Sequence, residues 1–137
     1  MVVKAENIFV NLPVKDVKKS VQFFQAIGFN FNEQFSDEQT ACLVLGENLF
    51  AMIMMEERFK GFTKKEIPNT ETSAQAIVAI GVNSKEMVDD IVDKAMVNGA
   101  FVYNETQDLG FMYGRSFQDL DKHLWEVVYM DPSNIEQ

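Results

Sequence analysis

The sequence predicts an α+β fold of two βαβββ modules, whose strands form a curled mixed sheet with a concave pocket and whose helices lie on the convex side. Three observations predict it. The order strand, helix, glycine, strand occurs twice, with Gly28 and Gly99 in equivalent places. Asn7 to Leu12 and Phe29 to Phe35, on either side of the first helical stretch, alternate with a period of two. A charged, irregular stretch between the repeats, longer than most connections inside a compact domain, reads as a linker. The resulting division is a first module over 1–56, a linker over 57–72 and a second module over 73–137, together one compact domain.

In chain order, Asn7 to Leu12 alternates cleanly and is the first strand. Asp16 is a good helix N-cap, and Val17, Val21, Phe24 and Ile27 follow helical spacing with Lys18, Lys19 and Gln22 outside. Gly28 ends that helix. Phe29 to Phe35 alternates again, and Thr40–Leu45 and Leu49–Met55 form a hairpin about Gly46-Glu47-Asn48. A short helix is predicted near Arg58 to Phe62. Ala76 to Val82 then reads as a strand. Ser84 caps a helix with Met87, Val88, Ile91, Val92 and Ala95 inside, about one turn longer than the first. Phe101–Asn104, Phe111–Phe117 and His123–Met130 supply three more strands. A four-stranded antiparallel sheet with a helix on one face leaves its other face bare, so the two units are expected to join edge to edge and curl into a trough. Ile8, Val10, Leu12, Val78, Ile80 and Val82 should then face helices, and Phe9, Asn11, Ile77, Ala79 and Glu126 the trough.

Composition narrows the function. With 47% hydrophobic residues the chain can bury a real core. A net charge of -9 argues against nucleic acid, which needs clustered Lys and Arg, and against anionic membranes. The longest apolar run, Leu49 to Met55, is too short to span a bilayer, and Met1 to Glu6 lacks the features of a signal peptide. A single Cys42 and eight methionines suit a reducing, cytoplasmic setting. One His and one Cys cannot build a Cys/His zinc site or the two-histidine triad of non-haem iron.

Glu126 stands out. In the strand Leu124-Trp125-Glu126-Val127-Val128 it shares a face with two aliphatic residues, so its carboxylate must find a partner, a cation, a proton or water at a solvated edge. Arg115, set among aromatics, either pairs with Glu126, holds an anionic ligand or makes a structural ion pair. Tyr113 and Asn11 are candidate hydrogen-bonding groups for a ligand. Cys42 reads as a small core residue, and Met52 to Met55 as strand filling suited to an adaptable pocket.

The segment Ile8-Phe9-Val10-Asn11-Leu12-Pro13-Val14-Lys15-Asp16-Val17, with Ser20, Phe23-Phe24 and Gly28-Phe29, resembles the opening of a glyoxalase-type module. The closing Asp119-x-Asp121-x-His123-x-Trp125-Glu126 resembles the end of one. With the repeat, they make the chain similar to the vicinal oxygen chelate superfamily, which holds glyoxalase I, bleomycin-resistance proteins, fosfomycin-resistance enzymes and extradiol dioxygenases. The likeness runs from about Asn7 to Asp131 and is closest to short predicted lactoylglutathione lyase-like proteins, which share Phe111-Met112-Tyr113-Gly114-Arg115.

The resemblance implies a metal site only in part. Where enzymatic members carry histidine on the first strand of each module, this chain has Phe9 and Ile77; where glyoxalase I has a glutamate near the end of its fourth strand, it has Met52 or Met54. Glu126 alone is retained. Hydrocarbon and thioether do not complete a hard cation site, so no cofactor is expected and a divalent metal is disfavoured. His123 lies on the opposite side of its strand from Glu126 and reads as a turn histidine rather than a replacement ligand. The family turn has Pro and Gly where this chain has Leu120 and Lys122, so Lys122 is expected at positive φ. Two readings follow. One is a metal-free homodimer that binds a small, partly hydrophobic ligand through Phe9, Asn11, Met52, Met54, Ile77, Tyr113, Arg115 and Glu126. The other is a glyoxalase I-like lyase or isomerase with Glu126 as metal ligand or general base.

Overall fold

A computed structural model describes residues 1–134, and the chain divides into two compact units, Met1–Ile67 and Pro68–Gln137. The first runs β1 (Ile8–Val14), α1 (Val17–Ile27), β2 (Asn30–Asn32), a 3-10 turn at Glu33–Phe35, β3 (Thr40–Gly46), β4 (Leu49–Met55) and α2 (Glu56–Lys60). The second runs β5 (Ile77–Gly81), α3 (Lys85–Val97), β6 (Gln107–Asp108), β7 (Met112–Gln118), β8 (Leu124–Met130) and a 3-10 turn at Pro132–Asn134. Each unit holds one four-stranded sheet, in the orders β1-β4-β3-β2 and β5-β8-β7-β6. The βαβββ repeat is therefore observed.

The sheets are mixed, as the predicted fold class has it, and not antiparallel throughout: β1 lies parallel to β4, and β5 parallel to β8. The reason is the helix. A strand followed by a crossover helix re-enters the sheet facing its original way, whereas the hairpins that follow alternate direction.

The caps behave as the residue types demand. Asp16 Oδ1 accepts from Lys19 N at 3.1 Å, and Ser84 Oγ accepts from Met87 N at 3.0 Å. Both helices are followed by a glycine in left-handed backbone, Gly28 at φ 121° and Gly99 at φ 104°. α3 has 13 residues against 11 in α1, about half a turn more rather than one. Met87, expected inside, is exposed because it sits in the first turn, ahead of the buried stripe Val88, Ile91, Val92 and Ala95.

Three other segments depart from expectation. The strand predicted over Phe29–Phe35 stops at Asn32, whose side chain accepts from Gln34 N at 3.0 Å while its carbonyl accepts from Ser36 Oγ at 2.7 Å. These local bonds offer the backbone an alternative to the ladder. The strand predicted over Phe101–Asn104 shrinks to one bridge, Phe101 to Gln118, and pairing with β7 resumes only at Gln107 and Asp108. The short helix begins at Glu56 and ends at Lys60, slightly earlier than Arg58–Phe62.

The core of the first unit lies between α1 and one sheet face, where Leu12, Val14, Phe24, Ile27, Leu43, Ala51 and Ile53 are buried. Ile8, assigned to the helix side, is exposed near the start of its strand. The second core packs Val88, Val92, Phe117, Trp125 and Val127, with Phe117 and Trp125 stacked at 6.2 Å.

One turn anchors the last hairpin. Asp119 Oδ1 accepts from Asp121 N at 2.9 Å and His123 N at 3.0 Å, and Oδ2 accepts from Trp125 Nε1 at 2.9 Å. This geometry puts Lys122 at φ 63°, the expected positive value. His123 is buried in that turn.

Candidate functional site

In the first unit, strand register sets the sheet face turned away from α1. Phe9 pairs with Phe50, Asn11 with Met52 and Pro13 with Met54 across β1 and β4; Cys42 pairs with Met52 and Thr40 with Met54 across β3 and β4. Period-two alternation places all of these on one face. The predicted residues Phe9, Asn11, Met52 and Met54 are therefore brought together there. Phe9 is half exposed and stacks on Phe50 at 5.0 Å with 13° between ring planes, Asn11 is exposed, and Met54 and Cys42 are buried. Burial pushes the Cys42 thiol above its usual pKa, so it stays a neutral, apolar wall.

In the second unit, Ile77, Ala79, Glu126 and Ser116 lie on the face away from α3, since Ile77 pairs with Leu124, Ala79 with Glu126 and Ser116 with Glu126. Ile77 is exposed and Glu126 half-buried. The chain leaves the edge of β7 after Phe101, and Tyr103 reaches across so that its hydroxyl lies 3.5 Å from Glu126 Oε2. Burial first, and the Glu126 charge second, push the Tyr103 phenol up to about 12. It is therefore a firm proton donor at neutral pH. Ser116 Oγ is buried without a hydrogen bond of good geometry, although it lies near enough to the Tyr103 hydroxyl to oppose that shift. A cavity of about 40 Å³ opens here, walled by Asn104, Glu105, Gln107, Ser116, Glu126 and their neighbours.

Tyr113 and Arg115 sit on the other face. β7 pairs Arg115 with the buried Val127 and Tyr113 with Tyr129, turning both side chains to α3. Tyr113 Oη donates to Asp89 Oδ1 at 2.6 Å, and Arg115 donates to Asp89 and Asp93 at 2.9 Å each. The Tyr113 hydrogen bond first, with help from Arg115, holds the Asp89 carboxyl below its usual pKa. The pairing of Arg115 with Glu126 weighed from sequence is thus replaced by a structural tether between β7 and α3, because adjacent residues on a strand point to opposite faces.

Sequence reasoning missed Tyr103 and Ser116. Ser116 was within reach, because the Asp119 turn fixes the register that sets it opposite Glu126. Tyr103 was not, since its segment looked like an ordinary strand.

As metal ligands, Phe9, Met52, Met54 and Ile77 offer hydrocarbon and thioether, which do not fit a hard divalent ion. Among the described residues, no three His, Cys, Asp or Glu side chains gather closely enough to share one.

Residues 7–46 match the family described as bleomycin resistance protein-like N-terminal. No curated protein matches the sequence. Among solved structures, the chain is similar to hypothetical protein SA1046 from S. aureus, at 26% identity and TM-score 0.76 over 93% of this chain and 95% of that one. It is also similar to a glyoxalase/bleomycin resistance protein/dioxygenase family enzyme from Burkholderia phytofirmans PsJN, at 18% identity and TM-score 0.74 over 89% and 96%. The fosfomycin resistance protein FosX from Listeria monocytogenes aligns at 18% identity and TM-score 0.66 over 97% and 98%. Near-complete coverage of both chains in each pair extends the likeness in fold to both modules, so this chain has the fold of the glyoxalase/bleomycin resistance proteins it is similar to.

Proposed function

We propose that the protein is a homodimeric binder of a small, partly hydrophobic molecule, held against a sheet face that turns away from its helix, without a divalent metal. The observation that carries this reading is the set of side chains on such faces. Phe9, Phe50, Met52 and Met54 in the first unit, and Ile77 in the second, are apolar where metal chemistry needs nitrogen or oxygen donors. In the first unit the stacked aromatics and methionines suit an adaptable apolar face, with Asn11 as a polar group beside them; in the second, Tyr103 and Glu126 supply polar groups beside Ile77.

A second reading has one observation in its favour. Glu126 is half-buried and its nearest side-chain partner is a phenol, an arrangement in which a carboxylate can act as general base in a lyase or isomerase. The two readings separate in one experiment. Metal content and thermal shift against Ni, Zn, Co and Mn are measured beside turnover of a glutathione hemithioacetal. The binding reading expects no stoichiometric metal, no turnover, and stabilisation by cationic or aromatic small molecules. A metal at full occupancy that disappears in Glu126→Gln overturns it.

A further inference from the structure

We infer that the second unit carries a site for the primary ammonium group of a small amphipathic amine, with Glu126 and Ser116 as its receptors. The inference rests on the binding function proposed above and names the ligand class. β7 is paired with the preceding chain at Gly114 and at Gln118 but not between them, where Val102–Thr106 arches away. Two hollows open at this gap, one of about 40 Å³ and one of about 760 Å³, and both are walled by Asn104, Glu105, Arg115 and Ser116. The smaller also has Glu126 and Gln107, while the larger adds Val92, Met96, Val102 and Tyr103.

The chemistry of the smaller hollow is that of an acceptor set. Glu126 and Glu105 bring negative charge, the amide oxygens of Asn104 and Gln107 accept, and Ser116 is 9% exposed with an Oγ that lacks a well-formed hydrogen bond. Arg115 also walls this hollow, but its guanidinium is already paired with Asp89 and Asp93 of α3. A half-buried carboxylate beside a buried hydroxyl, with exposed acceptors around them, suits a compact cation with several donors. An ammonium head has three, and about 40 Å³ admits a group of that size but not a quaternary ammonium. The larger hollow, with Val92, Met96 and Val102, gives an attached apolar body somewhere to lie.

The test uses the full chain and n-butylammonium chloride as probe, with n-butanol, sodium butyrate, tetramethylammonium chloride and sodium chloride at matched concentrations. Thermal shift and calorimetry are expected to show binding of n-butylammonium alone. Glu126→Gln should weaken it about tenfold or more, and Ser116→Ala severalfold, as for loss of hydrogen bonds to a charged group. If Glu126→Gln does not fold, Ser116→Ala carries the test. Equal binding of n-butanol overturns the ammonium site while leaving the binding function standing; no response to any of the probes overturns the ammonium site and counts against the binding function. A divalent ion that displaces n-butylammonium and needs Glu126 overturns both.

Discussion

Glu126 and Tyr103 show how one pair of side chains makes a pH-dependent element. The folded protein holds the phenol at about 12, against the ordinary 10.0 of an unfolded tyrosine. Between those values the unfolded chain gives up the phenol proton while the folded one keeps it, so the unfolded state binds fewer protons and stability falls as pH rises. Below about pH 10 the contribution is complete. We expect the loss of stability between about pH 9 and about pH 11 to be smaller in Tyr103→Phe than in the native protein, measured by denaturant midpoints. Equal losses would show that Tyr103 is solvated in solution. Asp119 is the contrasting case: burial pushes its carboxyl up, the His123 and Trp125 contacts pull it down, and its role is to hold the turn that sets Ser116 opposite Glu126. The run from Asp119 to Trp125 was legible from the sequence as a turn motif by resemblance, whereas the bonds by which Asp119 holds His123 and Trp125 came from the structure. The Tyr103 contact was not legible, because it joins residues 23 positions apart.

At the scale of elements, each helix depends on how it ends. Gly28 has φ 121°, and a β-carbon built there meets no atom within 4 Å, so any cost of adding one is backbone strain rather than collision. Gly28→Ala is expected to destabilise the protein by about 1–2 kcal/mol, lowering the midpoint of thermal unfolding by several degrees. An unchanged midpoint would mean that the helix end can relax to negative φ. The helices were readable because capping and 3.6-residue spacing are local. The parallel pairings of β1 with β4 and β5 with β8 were not read, because the direction of a strand's neighbour depends on the return path of the chain. Arg115 shows the same limit: alternation put it on a strand, but only the docking of α3 supplied Asp89 and Asp93.

For the whole molecule, a net charge of -9 gives a field that attracts cationic ligands and repels anionic ones. No helix among the described residues is long and apolar enough to cross a membrane. β1 and β5 each lie at the edge of their own sheet, with Ile8, Phe9 and Ile77 exposed. Edge strands that carry exposed apolar side chains invite association, which supports the proposed homodimer. Sedimentation at micromolar concentration is expected to give twice the chain mass, 15.6 kDa per chain; a monomer there would count against it.

By itself the sequence determined the two βαβββ modules and the helix caps. All of these depend on residue identity and short-range spacing. Only the tertiary structure decided that Tyr103 and Ser116 attend Glu126, and that Arg115 and Tyr113 are bound to α3 instead. The physical reason is that a side chain's partner is set by which strands and helices come to lie beside it, and that is a property of the packed chain rather than of its neighbours in sequence.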